Sequence, residues 1–449
     1  MSSLPEPFLS RLRSIFPKDR CYLDVVDCYA YSYDNSRKIF PPNAVVFPLD
    51  AGEIRSLLLL CNEYEVPVTP RGRGTGTAGG SIPERGGVAL SLERMRRILA
   101  VDAGNRVIVA EPGVLNQEIQ DEAGKHGLFW PPDPSSASYC SIGGNLATCA
   151  GGPHAVKYGT TRDHVLGLRA VTGKGELIRT GCYTTKGVVG YDLTRLIIGS
   201  EGTLAVITEA TLKLTPQPGA TRGIAAHYRD AESCAAAIIA IMGQPFVPSA
   251  LEFLDEGALN LIRSRHPDML PAESRAMLMI EVEDGDAVII EACGNAGLID
   301  AVGIHDSRAL WAARRALSPL LRDIAPKKIN EDIVVPVSRL PELLAGLEKL
   351  SSEYGIANVN FGHAGNGNIH VNLLVDPDRA DMAQVEICLE KVFDLVLALN
   401  GTLSGEHGVG REKRAYVAKE IDAATLQLMK AVKAVFDPKN ILNPGKLFP

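Results

Sequence analysis

PRGRGTGTAGGS, residues 70–81, sets five glycines and two arginines between two apolar segments. Glycine lets the backbone approach a ligand closely and take positive φ, so consecutive N–H groups can converge on phosphate oxygens while Arg71 or Arg73 adds charge. A diphosphate suits such a loop; a flexible surface turn is the other reading, because a glycine run alone is weak evidence. Working outward, residues 45–47 read as a short strand. Asp50 and Glu53 form an N-cap and capping-box pair ahead of Ile54, Leu57, Leu58 and Cys61 at helical spacing, and residues 66–69 read as a second strand. The loop therefore leaves the end of a strand, helix, strand unit. It opens neither a Rossmann unit, since AGGSIPERGG is too rich in turn formers for the required helix, nor a P-loop, since the GK[ST] ending is missing.

Further on, strands are expected at residues 88–92 and 106–109 and a helix at 116–126, ending at Gly127. Residues 129–159, FWPPDPSSASYCSIGGNLATCAGGPHAVKYG, are so rich in Pro, Gly, Ser and Asn that a long loop without helix or strand is the expectation. Such loops are more often functional than inert surface. After strands at 164–172 and 176–179, a short helix at 191–198 runs into the turn GSEG, residues 199–202. Residues 203–214 then alternate apolar and polar side chains as a half-buried strand does. Pro216 and Pro218 break the pattern and place a domain boundary near Gly219.

The second half interleaves strands (221–227, 250–254, 276–282) with helices (231–242, 256–264, 285–296), which suits an α+β domain with an antiparallel sheet. Leu310, Trp311 and Arg314 lie on a helix, and residues 333–335 form a strand. NFGHAGNGNIHVN, residues 360–372, reads as a hairpin between strands 356–361 and 369–375, with His363 and His370 on either side of its turn. Two imidazoles and a carboxylate suit Zn²⁺, Mn²⁺ or Fe²⁺ and leave coordination positions open. Glu406, beside His407 in GTLSGEHGVGREK, is the candidate carboxylate; satisfied core histidines are the alternative. A further helix, 382–399, separates the hairpin from Gly401.

Composition narrows the function. The chain has 449 residues, 46% hydrophobic and 22% charged, enough for two or three domains. A net charge of −7 with mixed signs leaves no basic stripe for nucleic acid. Nine cysteines without CxxC spacing suit a reducing compartment and argue against a disulfide framework or an iron–sulfur site. Leu4, Phe8, Leu12 and Ile15 make an apolar stripe on a docking helix, not a signal peptide, and no apolar run approaches the roughly 20 residues of a membrane span. A cytoplasmic protein is expected, with peripheral attachment at the inner face of a membrane through a partner left open.

PRGRGTGTAGG, PPDPSS, SIGGN, KYG and GYDLTRLIIGSEGTLAVIT together resemble the FAD-binding domain of the FAD-linked oxidase family, the vanillyl-alcohol oxidase or PCMH-type fold. The resemblance implies a two-subdomain FAD-binding domain with an α+β antiparallel-sheet cap domain. It divides the chain into an N-terminal helical segment (1–40), the FAD domain (41–218), the cap (219–399) and a returning tail (400–449). Arg71, Gly72, Gly74, Thr75 and Gly76 would contact the diphosphate. Pro132, Asp133, Ser136, Gly143, Asn145, Gly152 and Ile207 would contact the isoalloxazine, ribityl or adenosine parts. With no residue dedicated to a covalent link, FAD is expected to be held noncovalently.

LWAARR, KINEDIVVP, GHAGNGNIHVN, GTLSGEHGVGREK and NILNPGKLFP resemble the D-2-hydroxy acid dehydrogenase branch of that family, which includes D-lactate dehydrogenase, D-2-hydroxyglutarate dehydrogenase and the flavin subunit of glycolate oxidase. By that resemblance His363, His370 and Glu406 bind a divalent metal, Arg314 clamps the substrate carboxylate in a bidentate pair, Asn372 also holds substrate and His407 is the base. Where some members carry a lysine, this chain offers Lys327 and Lys328 early and Asn330 or Glu331 in register: Lys328 would favour a second substrate carboxylate, Glu331 would repel one. The implied activity is metal-assisted oxidation of a small D-2-hydroxy acid, D-lactate or glycolate-like with a single carboxylate, with hydride transfer to flavin N5. The electron acceptor is open among a quinone, a cytochrome, an electron-transfer flavoprotein and a partner subunit, and so is a homodimer. A flavin alcohol or sugar oxidase with a structural metal, and an FAD-holding electron-transfer subunit, are the alternatives.

Overall fold

The computed structural model describes residues 4–304 and 308–449. The chain divides into two compact units: Met1–Gly151, Gly159–Gln217 and Glu406–Pro449 make the first, and Gly152–Tyr158 with Pro218–Gly405 the second.

In the first unit the helix Glu6–Ile15 buries Phe8 and Leu12 against the helix Ala51–Tyr64, where the Phe8 ring meets Tyr64 edge-on at 5.6 Å. Asp50 caps that second helix by accepting the Glu53 N–H at 2.9 Å, and the Glu53 carboxylate reaches back to the Leu49 N–H at 2.8 Å. Strands Ala44–Val46, Val88–Ser91 and Val68–Arg71 run parallel, and Cys21–Tyr22 adds an antiparallel edge. The strand before the glycine loop starts later than expected and takes in Arg71. Pro67 has no N–H for a ladder, whereas Val68 bonds the returning C-terminal segment through Val68 N to Ile441 O (2.8 Å) and Asn443 N to Val68 O (2.8 Å).

A second, fully antiparallel sheet orders Ile98–Asp102, Val107–Ala110, Ala205–Lys213, Val165–Thr172 and Leu177–Gly181. Its central strand is buried on both faces up to Thr208 and alternates only beyond. The stretch 129–159 is not the structureless loop its composition suggests: it contains the helices Ile142–Thr148 and Ala155–Tyr158. Gly143 sits in the first of these because a Cβ there would lie 2.6 Å from the Pro112 Cβ. Close packing thus overrides the low helix propensity of glycine.

The second unit is built on a seven-stranded antiparallel sheet. Its order is Leu298–Ile304, Arg222–Tyr228, Ala276–Val282, Ala250–Leu254, Asn358–His363, Asn368–Val375 and Lys327–Val334. Helices Glu256–Arg265 and Arg308–Ile324 cover one face around Leu254, Met277, Met279, Val359 and Phe361. Ala231–Gly243, Leu340–Tyr354 and Met382–Ala398 pack side by side. The edge strand Leu298–Ile304 and the helix Leu340–Tyr354 go beyond the sequence reading, and the strand expected at 333–335 begins at Lys327. The polar run KKINED extends because every one of its residues pairs with a residue of Asn368–Val375. Among the described residues no helix is long and apolar enough to cross a membrane.

Candidate active site

Residues directly opposite on neighbouring strands point to the same side of a sheet. In the second unit Glu252 faces His363, Phe361 faces His370, Asp332 also faces His370, Asn330 faces Asn372 and Lys328 faces Leu374. These residues therefore share one face, with the helix carrying Arg314 above it. Glu331, opposite Val371, points to the other face. The hairpin brings the His363 and His370 rings to 5.2 Å, almost perpendicular at 88°. Gly367, at φ 73°, closes the turn, as a residue without Cβ does at least cost.

Two buried carboxylates that the sequence reading did not single out lie against this histidine pair. Glu252 is fully buried. It bonds His363 Nδ1 and takes Arg314 Nε at 2.8 Å and Nη2 at 2.6 Å on its second oxygen. Burial by itself raises the Glu252 pKa, but the charges of His363 and Arg314 outweigh it and hold the carboxyl well below the usual range. An ionised carboxylate only accepts, so His363 Nδ1 carries the proton and Nε2 turns away from Glu252. Asp332, also fully buried, lies 3.6 Å from His370 Nδ1 and accepts Asn368 Nδ2 at 2.7 Å and the Gly405 N–H at 3.0 Å. A carboxylate hydrogen-bonded to Nδ1, as Glu252 is to His363, orients an imidazole for a metal at Nε2, and Asp332 places a second acid 3.6 Å from His370 Nδ1. The donor chemistry thus fits a divalent ion.

Gly405 is followed directly by Glu406 and His407. In the first unit, a Cβ at Gly151 would stand 2.6 Å from Glu406 Oε2, so the chain leaves room for that carboxylate by omitting a side chain.

The glycine loop lies in the same unit. Gly72 meets the helix cap Ser141, where a Cβ would come within 2.5 Å of Oγ, and Gly74 takes φ 67° over the Arg71 guanidinium. Arg71 is buried beneath the loop, 3.4 Å from Ser81 O and Oγ and 5.8 Å above the Tyr31 ring, and burial lowers its pKa. Thr75 is half-buried and Gly76 has open space where a Cβ would be. Residues 78–80 instead dock the segment 410–412: Arg411 N and Glu412 N reach Ala78 O at 2.9 and 3.1 Å. Pro132 is buried and its carbonyl accepts Asn116 Nδ2 at 3.0 Å. Asp133 and Ser136 are half-buried, and Ile207 is buried beside a β-bulge. The first N–H groups of the helix Ile142–Thr148 go to the protein, Ile142 N to Val114 O and Gly143 N to Pro112 O, both 2.8 Å. Asn145 Nδ2, in contrast, is buried with no oxygen or nitrogen partner, its one protein neighbour for such a bond being the weakly accepting Cys140 sulfur. A buried donor left over beside an open glycine loop fits a polar cofactor. Gly152, at φ 141°, belongs to the second unit.

The substrate candidates stand as follows. Arg314 uses its Nε–Nη2 edge on Glu252 and stacks 4.5 Å over Phe361, so the edge suited to a bidentate clamp is occupied within the protein. Asn372 is fully buried, giving Nδ2 to Val359 O (2.9 Å) and His370 O (3.0 Å) and receiving Asn330 Nδ2 at 2.8 Å. Lys328 reaches Ser318 Oγ at 2.7 Å, one helical turn beyond Arg314. Glu252 could have been found in the sequence as a lone acid in the apolar strand ALEFL, and Asp332 as one inside KINEDIVVP, since buried charges need partners.

Residues 42–181 match the family model described as FAD binding domain, and residues 217–447 match that described as FAD linked oxidases, C-terminal domain. The glycolate oxidase subunit GlcD of Bacillus subtilis is 39% identical over 433 residues, 93% of this chain and 92% of that protein. A D-lactate dehydrogenase of Anaerostipes hadrus is 36% identical over 426 residues, 90% of this chain and 89% of that one. The crystal structure of p-cresol methylhydroxylase superposes with a TM-score of 0.78 at 16% identity, covering 98% of this chain and 96% of the other, which establishes a common fold.

Proposed function

Because this chain belongs to the FAD-linked oxidase family, we propose that it is a metal-dependent FAD dehydrogenase for a small D-2-hydroxy acid of the glycolate or D-lactate kind, producing the 2-oxo acid. The observation that carries the reading is the pair His363 and His370, each with a buried carboxylate close to Nδ1, beside the cation of Arg314. The names of the two relatives, a glycolate oxidase subunit and a D-lactate dehydrogenase, support the same substrate class.

His363, His370 and Glu406 would hold the divalent ion, which when bound supplies a Lewis acid for the substrate oxygens. The glycine loop and Asn145 would hold FAD, which supplies the two-electron oxidant. Arg314, turned by Glu252, presents Nη1 to the substrate carboxylate and orients Cα. His407 takes the hydroxyl proton, a contribution of typically 10² to 10⁴ in rate for a placed base. The sum is balanced: hydroxy acid and FAD give oxo acid and reduced FAD, with the hydroxyl proton passing through His407. Lys328 lies on the face of His370, which it shares with the acids Glu252 and Asp332, and Glu331 lies on the other; a single substrate carboxylate paired with Arg314 suits that face. The electrons then leave to an acceptor or partner chain, as the word subunit in the relative's name suggests.

The test is anaerobic flavin bleaching by glycolate, D-lactate, L-lactate and D-2-hydroxyglutarate, before and after chelation, with His407→Ala alongside. Metal-dependent bleaching by a D-acid, lost in the variant, is expected. A bound flavin that stays oxidised with all four acids would overturn the reading.

A further inference from the structure

Glu201, in the GSEG turn, is buried and stands in the left-handed region at φ 51°. Its carboxylate reaches across more than two hundred positions of sequence, accepting the Val409 N–H at 2.7 Å through Oε1 and the Gly410 N–H at 2.8 Å through Oε2. Gly408, at φ 83°, is kept bare beside it, since a Cβ there would lie 2.9 Å from Oε1. On its other side the same carboxylate borders the glycine loop, 3.2 Å from where a Gly80 Cβ would stand. Asn443 ties the pieces together, giving Nδ2 to Gly80 O at 2.7 Å and to Glu201 O at 2.8 Å. Three distant segments, 78–80, 199–202 and 408–412, therefore meet on one buried acid inside the first unit.

A buried carboxylate is an expensive way to fill space unless its bonds hold something that must not move. What it holds is the turn immediately after Glu406 and His407. A structural role would be served by any residue that satisfied the two N–H groups; a carboxylate spanning both fixes the turn in two directions at once.

We propose that Glu201 is a positioning residue. By clamping the 408–410 turn to the glycine loop, it sets where Glu406 and His407 stand relative to the cofactor-binding segment. This rests on the reading in which His407 takes the substrate proton. Glu201→Gln keeps the shape but sets an amide NH₂ against one of the two N–H donors. Gly408→Ala perturbs the same turn from its other side and serves should Glu201→Gln fail to fold.

Both are tested by anaerobic stopped-flow reduction with D-lactate or glycolate, whichever bleaches the wild type, normalised to bound FAD, beside His407→Ala. A misplacement of about 1 Å costs on the order of 100-fold, so the maximal reduction rate per flavin should fall roughly 10- to 100-fold. FAD content and half-saturating substrate concentration should change less than about threefold, and the double variant should be no slower than the worse single. If His407→Ala reduces flavin normally, the functional reading itself fails. If His407→Ala is inactive while Glu201→Gln and Gly408→Ala reduce flavin at the wild-type rate, the positioning role alone is overturned. It is likewise overturned if activity falls only in proportion to lost FAD.

Discussion

Replacing Glu252 by Gln tests the electrostatic heart of the second unit. Glu252 is fully buried and faces Arg314, whose side chain is 10% exposed, and His363, 6% exposed. The substitution preserves shape and one acceptor but leaves the guanidinium without its counter-ion in a place water barely reaches. Removing one member of a buried, hydrogen-bonded pair costs about 3–5 kcal/mol, most of it the penalty on the stranded charge. Replacing both Glu252 by Gln and Arg314 by Met removes the stranded charge, so the double variant should recover a large part of the loss of the singles, a coupling of roughly 2 kcal/mol or more. The pH dependence has a definite sign. The folded Glu252 carboxyl sits below its unfolded value, so its contribution is present above the unfolded pKa and is lost as pH falls through the folded one. The assay is urea unfolding at neutral pH and at pH values below the ordinary carboxylate range, with bound metal counted at neutral pH after dialysis against a chelator. Losing the charged partner of His363 Nδ1 should weaken metal binding about 10- to 100-fold. A Glu252→Gln protein within about 1 kcal/mol of wild type that also keeps its metal would refute the reasoning.

Gly151→Ala brings a methyl within 2.6 Å of Glu406 Oε2 at a backbone angle alanine tolerates; metal retention and flavin reduction should drop at least tenfold while FAD binding and melting temperature hold, measured by metal analysis and stopped flow. Asn145→Ala removes the buried donor that lacks an oxygen or nitrogen partner, and FAD should bind about tenfold more weakly, roughly 1.4 kcal/mol, by equilibrium titration of the apoprotein; unchanged affinity would dissociate Asn145 from the cofactor. Burial pushes the Glu201 carboxyl up to about 7 from 4.5, so the stability it contributes is complete below its unfolded pKa and is lost as pH rises through about 7. Glu201→Gln, which cannot ionise, should therefore flatten the decline in unfolding free energy across that window by up to about 3 kcal/mol at 1.36 kcal/mol per unit; parallel declines in the two proteins would count against it.

Much of the architecture was legible because its signals are local. The capping pair Asp50 and Glu53, the stripe Phe8 and Leu12, and the hairpin turn between His363 and His370 depend on spacing within one element or one turn, and each appears in the structure. Composition misled where tertiary contact took over. Gly143 and Gly144 read as loop but stand in a helix because Pro112 leaves no room for a side chain at the first. The strand expected at 333–335 left out the mostly polar residues 327–332, yet they pair with the length of a neighbouring one. In the glycine loop Arg71 is folded beneath the loop and Arg73 pairs with Glu93 at 3.3 Å, contacts that no local spacing foretells.

By itself the sequence determined the family, the alternation of elements and the identity of the two histidines, since these follow from motifs and periodicities carried by contiguous residues. Tertiary structure alone decided which acids serve them. Glu252 lies 111 residues from His363, and Glu201 about as far again from the turn it holds. Neither distance has a sequence signature, because a buried carboxylate is selected by the charges and N–H groups that folding brings around it, and those come from other strands.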